Sequence, residues 1–163
     1  ADTFMPNQYN PGFKNWFTKN KRRFKKGRAR NRIKKKKTIK LKMTEYFFDT
    51  FSLFEIINGN PNYKNYSNCD MKLCHLNLYE FYKELLRKGL PKFSAEKELI
   101  NLLDKQVEIM LLDIVNSAEL KLINPKFSIP DCFGYVMAKR LKIKFLTGDK
   151  EFKDMDNVEF VQK

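Results

Sequence analysis

The sequence predicts an α/β fold in which a mainly parallel sheet is covered by helices on both faces. From Met43 onward, short apolar segments typical of strands alternate with segments of helical periodicity, a pattern characteristic of parallel sheets. Turn-forming clusters such as Asn58-Gly59-Asn60-Pro61 separate these segments. The length of 163 residues suits one compact domain with an appendage.

The first half of this domain contains two strand–helix pairs. Residues Glu45–Phe48 form a short apolar strand, and apolar side chains then recur at helical spacing from Phe51 to Ile57. A second strand is predicted from Met71 to Leu76, and a helix from about Asn77 to Lys88. The apolar residues that follow predict the remaining elements in this order: helix Ser94–Asp104, strand Glu108–Ile114, helix 115–123, helix Ser128–Leu141, and strands Ile143–Thr147 and Val158–Val161.

Charge divides the chain into two parts. Residues 1–42 contain 16 Lys and Arg but a single acid, Asp2, whereas 17 basic and 18 acidic residues lie in 43–163. The net charge of +14 therefore belongs to the N-terminal segment. We predict a basic, extended arm over residues 1–42, because dense like charges repel one another, and a folded domain over residues 43–163.

The arm has the composition of a nucleic-acid-binding segment. Aromatic residues, including Trp16 and Phe17, precede a polycation, and cations contact phosphates while rings stack on bases. A solvated tail, or a leader that precedes a true start at Met43, is the alternative interpretation. The residues predicted to contact RNA are Lys21, Arg22, Arg23, Lys25, Lys26, Arg28, Arg30 and Arg32.

Composition also bears on location and on metal chemistry. No apolar run approaches the roughly 18–20 residues of a membrane span, and an odd set of three cysteines favours a reducing compartment. We therefore predict a cytoplasmic protein without membrane contact. Cys69, Cys74 and His75 have the spacing of half a zinc site, but the second half is missing, so small buried residues are the preferred interpretation.

Four acids lie where strands end or helices begin. Asp49 follows the first strand, Glu80 lies in the first turn of the predicted second helix, Asp131 begins the long helix, and Asp149 follows the strand ending at Thr147. In parallel α/β sheets the ligand site lies beyond the carboxyl ends of the strands. Four carboxylates at one edge favour a divalent cation, because like charges so close do not all remain ionised alone.

Each acid also has a purely structural interpretation. Asp49 and Asp149 could cap the helices that follow them, Ser128-x-x-Asp131 matches a capping box, and Glu80 could be a surface acid. The structural interpretation requires four separate coincidences at corresponding ends of strands and helices, whereas a single site explains all four acids together. The single histidine also disfavours a catalytic pair built on Ser-His or Cys-His, so we expect phosphodiester hydrolysis to depend on Mg²⁺ or Mn²⁺.

The region from Met43 resembles a PIN domain, a nuclease family with a three-layer α/β/α fold, and within it the VapC toxin type. The motifs that carry the resemblance are Tyr46-Phe-Phe-Asp49-Thr50, Asn77-Leu-Tyr-Glu80-Phe-Tyr, Ile129-Pro-Asp131-Cys-Phe-Gly-Tyr-Val-Met-Ala138 and Phe145-Leu-Thr-Gly-Asp149-Lys-Glu-Phe152. The resemblance implies metal-dependent RNA cleavage by acids at Asp49, Glu80, Asp131 and Asp149. It also suggests that the hydroxyl of Thr50 or Thr147 contacts the substrate phosphate or a water near the metal.

We therefore expect a Mg²⁺- or Mn²⁺-dependent endoribonuclease, with RNA and an antitoxin protein as partners and with the capacity to form a homodimer. Asp49 and Asp131 are the expected direct metal ligands, then Asp149, with Glu80 acting through water. Two alternatives remain: an enzyme that processes ribosomal or transfer RNA, and a non-catalytic RNA- or ribosome-binding protein. The complete set of acids argues against the second.

Overall fold

The computed structural model describes residues 44–162. The basic arm predicted over residues 1–42, with its proposed RNA contacts, lies outside the described residues. Within residues 44–162 the strands form one parallel sheet in the order β2-β1-β3-β4. The strands are β1 (Glu45–Phe48), β2 (Asp70–Lys72), β3 (Lys144–Thr147) and β4 (Val158–Phe160).

Helices occupy most of the chain between these strands. They are α1 (Thr50–Asn58), α2 (His75–Arg87), α3 (Lys92–Ile100), α4 (Leu111–Ile123) and α5 (Ile129–Leu141), with short 3₁₀ helices at Pro61–Tyr66, Leu103–Lys105 and Lys150–Phe152. Across the described residues, every helix is too short or too polar to cross a membrane.

Alternating strand residues build two cores, one on each face of the sheet. Phe47 of β1 pairs with Phe145 of β3, and the next residues, Phe48 and Leu146, pair in the same register. Because successive side chains point to opposite faces, the first pair packs with the α5 side and the second with α1, α2 and α3. The three-layer α/β/α arrangement expected from the sequence is confirmed.

Gly134 brings α5 close to the sheet. A Cβ at this position would lie 2.6 Å from the Phe145 ring and 3.2 Å from the Phe47 ring. Because glycine has no side chain, the middle of α5 rests directly on the buried aromatic residues of β1 and β3. The first turn of α5, which carries Asp131, is thereby held near the end of the sheet.

The strand predicted over Glu108–Ile114 is wrong. Helix α4 begins at Leu111, and the Asp113 carboxylate accepts a hydrogen bond from the Met110 amide at 2.8 Å, as helix-capping groups do. The apolar run was ambiguous because the large apolar residues of α4 lie mainly on its exposed face, whereas its buried residues are the polar Asp113 and Ser117, so the usual helical pattern is reversed.

Two further boundaries differ from the predictions. Helix α2 begins at His75 rather than Asn77, because the Asn77 side chain accepts the Cys74 amide at 3.1 Å and so caps the helix earlier. Glu80 therefore lies in the second turn of α2, not the first. Helix α3 spans Lys92–Ile100 instead of Ser94–Asp104, since its first backbone hydrogen bonds reach back to the Pro91 carbonyl.

Candidate active site

Asp49 is placed at the centre of the sheet edge by the end of β1. One of its carboxylate oxygens accepts the Phe51 amide at 3.0 Å and so caps α1, and the other accepts the Thr147 hydroxyl at 2.7 Å. Asp49 is only 5% exposed, and its own amide donates to the Leu146 carbonyl of β3. The neighbouring strand β3 and the start of α1 therefore fix this carboxylate in position.

Asp149 is joined to Asp49 through Thr147. The Thr147 hydroxyl donates to Asp49 and accepts the Asp149 amide at 3.0 Å, while the Asp149 carboxylate caps the following 3₁₀ helix by accepting the Glu151 amide at 3.0 Å. A Cβ at Gly148 would lie 2.6 Å from the Tyr63 hydroxyl, so the chain turns here through a space that only glycine fits.

Asp131 is held by the residue that starts its helix. The Ser128 hydroxyl accepts the Asp131 amide at 3.2 Å and donates to the Asp131 carboxylate at 2.5 Å. The capping pattern recognised in the sequence is therefore real, and it also orients the carboxylate of Asp131. Ser128 is not among the site residues predicted from the sequence, although the Ser-x-x-Asp spacing is the signal for this contact.

Glu80 and Thr50 differ from the other site candidates in their contacts. Glu80 is half-buried on α2 and makes no hydrogen bond or ion pair with any residue in 44–162. Thr50 is buried, and its hydroxyl accepts the Asn77 side-chain amide at 3.5 Å, which links α1 to the start of α2. Thr147, by contrast, contacts two of the four acids directly.

The four acids lie close enough for their charges to affect one another's pKa. Burial and the negative charges of Asp131 and Glu80 together raise the pKa of Asp49 to about 7, against the hydrogen bonds that the carboxylate accepts from Phe51 and Thr147. Burial also raises the pKa of Asp131 to about 6, with repulsion from Glu80 and Asp149 opposing the hydrogen bond from Ser128. The acids predicted from the sequence therefore share one electrostatic field.

Within residues 44–162, these four acids have no positively charged partner. None of the four acids forms an ion pair within residues 44–162. Carboxylate oxygens with unbalanced negative charge are the donor set preferred by hard cations such as Mg²⁺ and Mn²⁺. The chemistry of these residues therefore fits a divalent metal.

The side chains are not arranged as a closed metal cage. In the described part of the chain, no three His, Cys, Asp or Glu side chains converge closely enough to hold an ion. Asp131 and Asp149 are instead hydrogen-bonded toward their own helices. Mg²⁺ commonly keeps several waters and takes only one or two carboxylates directly, so an open arrangement of this kind still suits it.

The cysteines and the histidine have other partners. The Cys74 thiol is buried and donates to the Asn77 side chain at 3.1 Å, and His75 is exposed beside the Gln106 amide at 2.9 Å. The Cys69 thiol donates to the Asn65 carbonyl at 3.7 Å. Cys74 and Cys132 are thus small buried residues, as the preferred interpretation expects, whereas Cys69 is only half-buried.

Comparison with known proteins places this geometry in a family. Solved structures with a similar fold include a toxin–antitoxin complex from Klebsiella pneumoniae, with a TM-score of 0.56 and 16% identity over 70% of this chain and 95% of that one. VapBC2 from Rickettsia felis, bound to a DNA fragment from its promoter, has a TM-score of 0.55 and 18% identity over 74% of this chain and 99% of that one.

Identities this low establish similarity of fold only, and a comparison with curated proteins gives no match. The family assignment comes from a sequence model of the PIN domain, which matches residues 46–158. This match includes Asp49, Glu80, Asp131 and Asp149, and it covers more than half of the chain. The chain therefore belongs to the PIN domain family.

Proposed function

We propose that this chain is an endoribonuclease that uses Mg²⁺ or Mn²⁺ to hydrolyse RNA phosphodiester bonds. PIN domains are generally nucleases, and they typically use divalent metals. The main support for the proposal in this structure is the group of four acids. Their charges repel one another, and within residues 44–162 they have no cationic partner. A structural cluster of acids would normally be neutralised by lysine or arginine.

Asp49 and Asp131 are the proposed direct metal ligands, with Asp149 beside them and Glu80 acting through water. A bound divalent metal lowers the pKa of water and stabilises the charge that develops on a phosphate during in-line displacement. The ionised carboxylates would hold such a metal at the edge of the sheet. Burial of Asp49 limits bulk water around it, which strengthens electrostatic interactions at this position.

Thr147 and Ser128 are proposed to position these ligands. Each hydroxyl donates to one carboxylate oxygen, Thr147 to Asp49 and Ser128 to Asp131. Ligands held by hydrogen bonds of this kind keep the orientation that metal binding needs, and losing such support commonly costs 10- to 100-fold in metal affinity or activity. Thr50 is a weaker candidate for this role because its hydroxyl is engaged with Asn77.

Cleavage of single-stranded RNA tests the proposal. The full chain should cleave with Mg²⁺ or Mn²⁺ and not with EDTA, and Asp131→Asn should reduce the rate at least about 100-fold while leaving the circular dichroism spectrum unchanged. Asp104→Asn is the matched control, because this exposed acid pairs with Lys105 and lies outside the cluster. Near-normal cleavage by Asp131→Asn, or cleavage in EDTA, would exclude the proposed site.

The biological role we propose is that of the toxin of a toxin–antitoxin pair. The structures from Klebsiella pneumoniae and Rickettsia felis that share this fold are toxin–antitoxin complexes, and an antitoxin protein is accordingly a proposed partner. Expression should then arrest growth, and Asp131→Asn should remove the arrest. An active nuclease that leaves growth unchanged would instead favour the alternative role in processing ribosomal or transfer RNA.

RNA binding by the arm is a separate proposal that rests on the charge of residues 1–42. If Lys21 to Arg32 contact phosphates, RNA affinity should fall steeply with salt, with a log–log slope of about −0.7 per contact on a single strand. Replacing the eight basic residues named above with glutamine should flatten this slope. An unchanged slope would show that the arm does not contact RNA.

A further inference from the structure

Tyr63 is a fully buried residue that lies outside the four sequence motifs. It belongs to the 3₁₀ helix Pro61–Tyr66, and its ring packs in the core on the same face of the sheet as α1. A phenylalanine ring would supply the same apolar surface to this core. A buried hydroxyl costs free energy unless it is hydrogen-bonded, so the contacts of this hydroxyl indicate what a tyrosine contributes here.

The Tyr63 hydroxyl begins a chain of hydrogen bonds that leads to the candidate active site. It donates to the Val161 carbonyl at 2.9 Å, and the Val161 amide donates to the Thr147 carbonyl, also at 2.9 Å. The Thr147 hydroxyl in turn donates to Asp49 at 2.7 Å and accepts the Asp149 amide at 3.0 Å. The chain therefore connects Tyr63 to two of the four acids.

The same hydroxyl limits the space for the turn between Thr147 and Asp149. A Cβ at Gly148 would lie 2.6 Å from the Tyr63 hydroxyl oxygen and 2.7 Å from the Phe51 ring. The turn is therefore packed directly against both groups. Because closely packed groups leave little room for a second arrangement, the Tyr63 hydroxyl restricts the backbone that carries both Thr147 and Asp149.

The Tyr63 hydroxyl remains a hydrogen-bond donor at neutral and alkaline pH. Burial, together with the negative charges of Asp49 and Glu55, raises the pKa of Tyr63 to about 12, against the hydrogen bond with Ser52. The phenol therefore stays protonated while the site acids change their charge. Its contact with the Val161 carbonyl is consequently retained whether these acids are protonated or ionised.

We propose that Tyr63 is a positioning residue for the metal-dependent cleavage of RNA, and that it acts through the turn at residues 147–149. By restricting this turn, the phenol keeps the Thr147 hydroxyl on Asp49 and keeps the Asp149 carboxylate at the same edge of the sheet. Indirect support of metal ligands is commonly worth about 10- to 100-fold in metal affinity. The inference rests on the proposed function, because the turn is proposed to orient ligands of a cation.

Tyr63→Phe tests the proposal in the full chain, because it removes the hydroxyl and keeps the ring. Calorimetric titration should show Mn²⁺ affinity weakened by at least about 10-fold. Tyr66→Phe is the matched control and should bind Mn²⁺ normally: Tyr66 lies in the same 3₁₀ helix, but its hydroxyl donates to Glu159 at 2.8 Å. Glu159 pairs with Lys144, the first residue of β3, and so lies away from the turn. Unchanged affinity in Tyr63→Phe, or equal weakening in both variants, would overturn the proposal.

Amide hydrogen exchange, followed by NMR in EDTA, tests the positioning without metal or activity. In Tyr63→Phe the Asp149 amide should exchange at least about 10-fold faster, while the Phe145 amide in β3 keeps its rate. Both amides should exchange normally in Tyr66→Phe. Unchanged exchange at Asp149 in Tyr63→Phe, or an equal increase at Phe145, would contradict the proposal. If the unsubstituted protein binds no Mn²⁺, the proposed function fails, whereas the exchange rates still decide whether Tyr63 holds the turn.

Discussion

Asp49 and Asp113 are both buried aspartates next to the start of a helix, with exposures of 5% and 1%. Each carboxylate accepts two hydrogen bonds. In each case one donor is a backbone amide at the start of the helix, so the carboxylate caps that helix. They differ in the charge of their neighbours. Asp113 contacts the Arg140 guanidinium at 2.9 Å, whereas Asp49 is surrounded by the negative charges of Asp131 and Glu80.

This difference distinguishes Asp113, which stabilises the fold through an ion pair, from Asp49, which we propose as a functional acid. The Arg140 side chain neutralises Asp113 and also donates to the Glu108 carbonyl at 3.0 Å, so it ties α5 to the segment before α4. Asp49 receives neutral donors only, Phe51 and Thr147. Within residues 44–162 its carboxylate therefore has no cationic partner, and this is why we propose Asp49 as a metal ligand.

The largest expected effect is a dependence of stability on pH in the absence of metal. Because the pKa values of Asp49 and Asp131 lie above those of ordinary aspartates, the folded state binds more protons than the unfolded state. Stability is then highest near the unfolded pKa of about 4 and falls as pH rises toward 7. Between about pH 5.5 and about pH 8, the free energy of unfolding in EDTA should fall by roughly 2–3 kcal/mol.

Urea denaturation at the two pH values measures this fall. Asp49→Asn should remove most of it, since the amide carries no charge at either pH, and Mn²⁺ should restore stability to the unsubstituted protein at the higher pH. The Asp104→Asn control should keep the full dependence. Stability that is equal at both pH values in EDTA would mean that the pKa values of Asp49 and Asp131 are not raised in the folded state.

The next effect concerns Arg140. Arg140→Met retains much of the side-chain length but leaves Asp113 buried without a cation, which should cost about 2 kcal/mol of unfolding free energy. Arg87→Met is the matched control: the Arg87 ion pair with Glu84 is on the surface, with the arginine side chain 70% exposed, and its loss should cost less than about 1 kcal/mol. Similar losses in the two variants would show that burial does not distinguish these ion pairs.

The smallest effect is expected at Ser128. Ser128→Ala removes the N-cap of α5 and should cost about 1 kcal/mol of unfolding free energy, measurable as a shift in the urea midpoint. Ser128→Asp should retain the cap but place another negative charge beside Asp131, so it should weaken RNA cleavage. If Ser128→Ala loses stability with no change in cleavage, Ser128 is a cap only and does not position the carboxylate of Asp131.

The sequence correctly predicts the strands and helices whose local residue pattern agrees with their burial in the fold. Strands β1 and β3 are short segments whose later, mostly apolar residues are buried in the fold, and α5 begins with an evident cap at Ser128. The parallel sheet followed from the alternation of strands and helices. Because parallel strands end at one edge, the approximate location of all four acids followed from the same prediction.

The secondary structure predicted from the sequence is wrong where the outer surface of a helix is apolar. Residues Glu108–Ile114 were interpreted as a strand because α4 lacks the polar outer face that normally reveals a helix. The contacts of Thr147 with two acids, and the raised pKa values, depend on distances between elements and were not accessible from residue spacing.

Mn²⁺ titration by calorimetry, with full-length protein at about pH 7.5, tests the central claim that the four acids form a divalent-cation site. We expect saturable binding that Asp49→Asn and Asp131→Asn each weaken by at least about 10-fold, and that Glu80→Gln weakens less, because Glu80 is proposed to act through water. The Asp104→Asn control should bind normally. Absence of Mn²⁺ binding, or equal affinity in all four variants, would contradict the account.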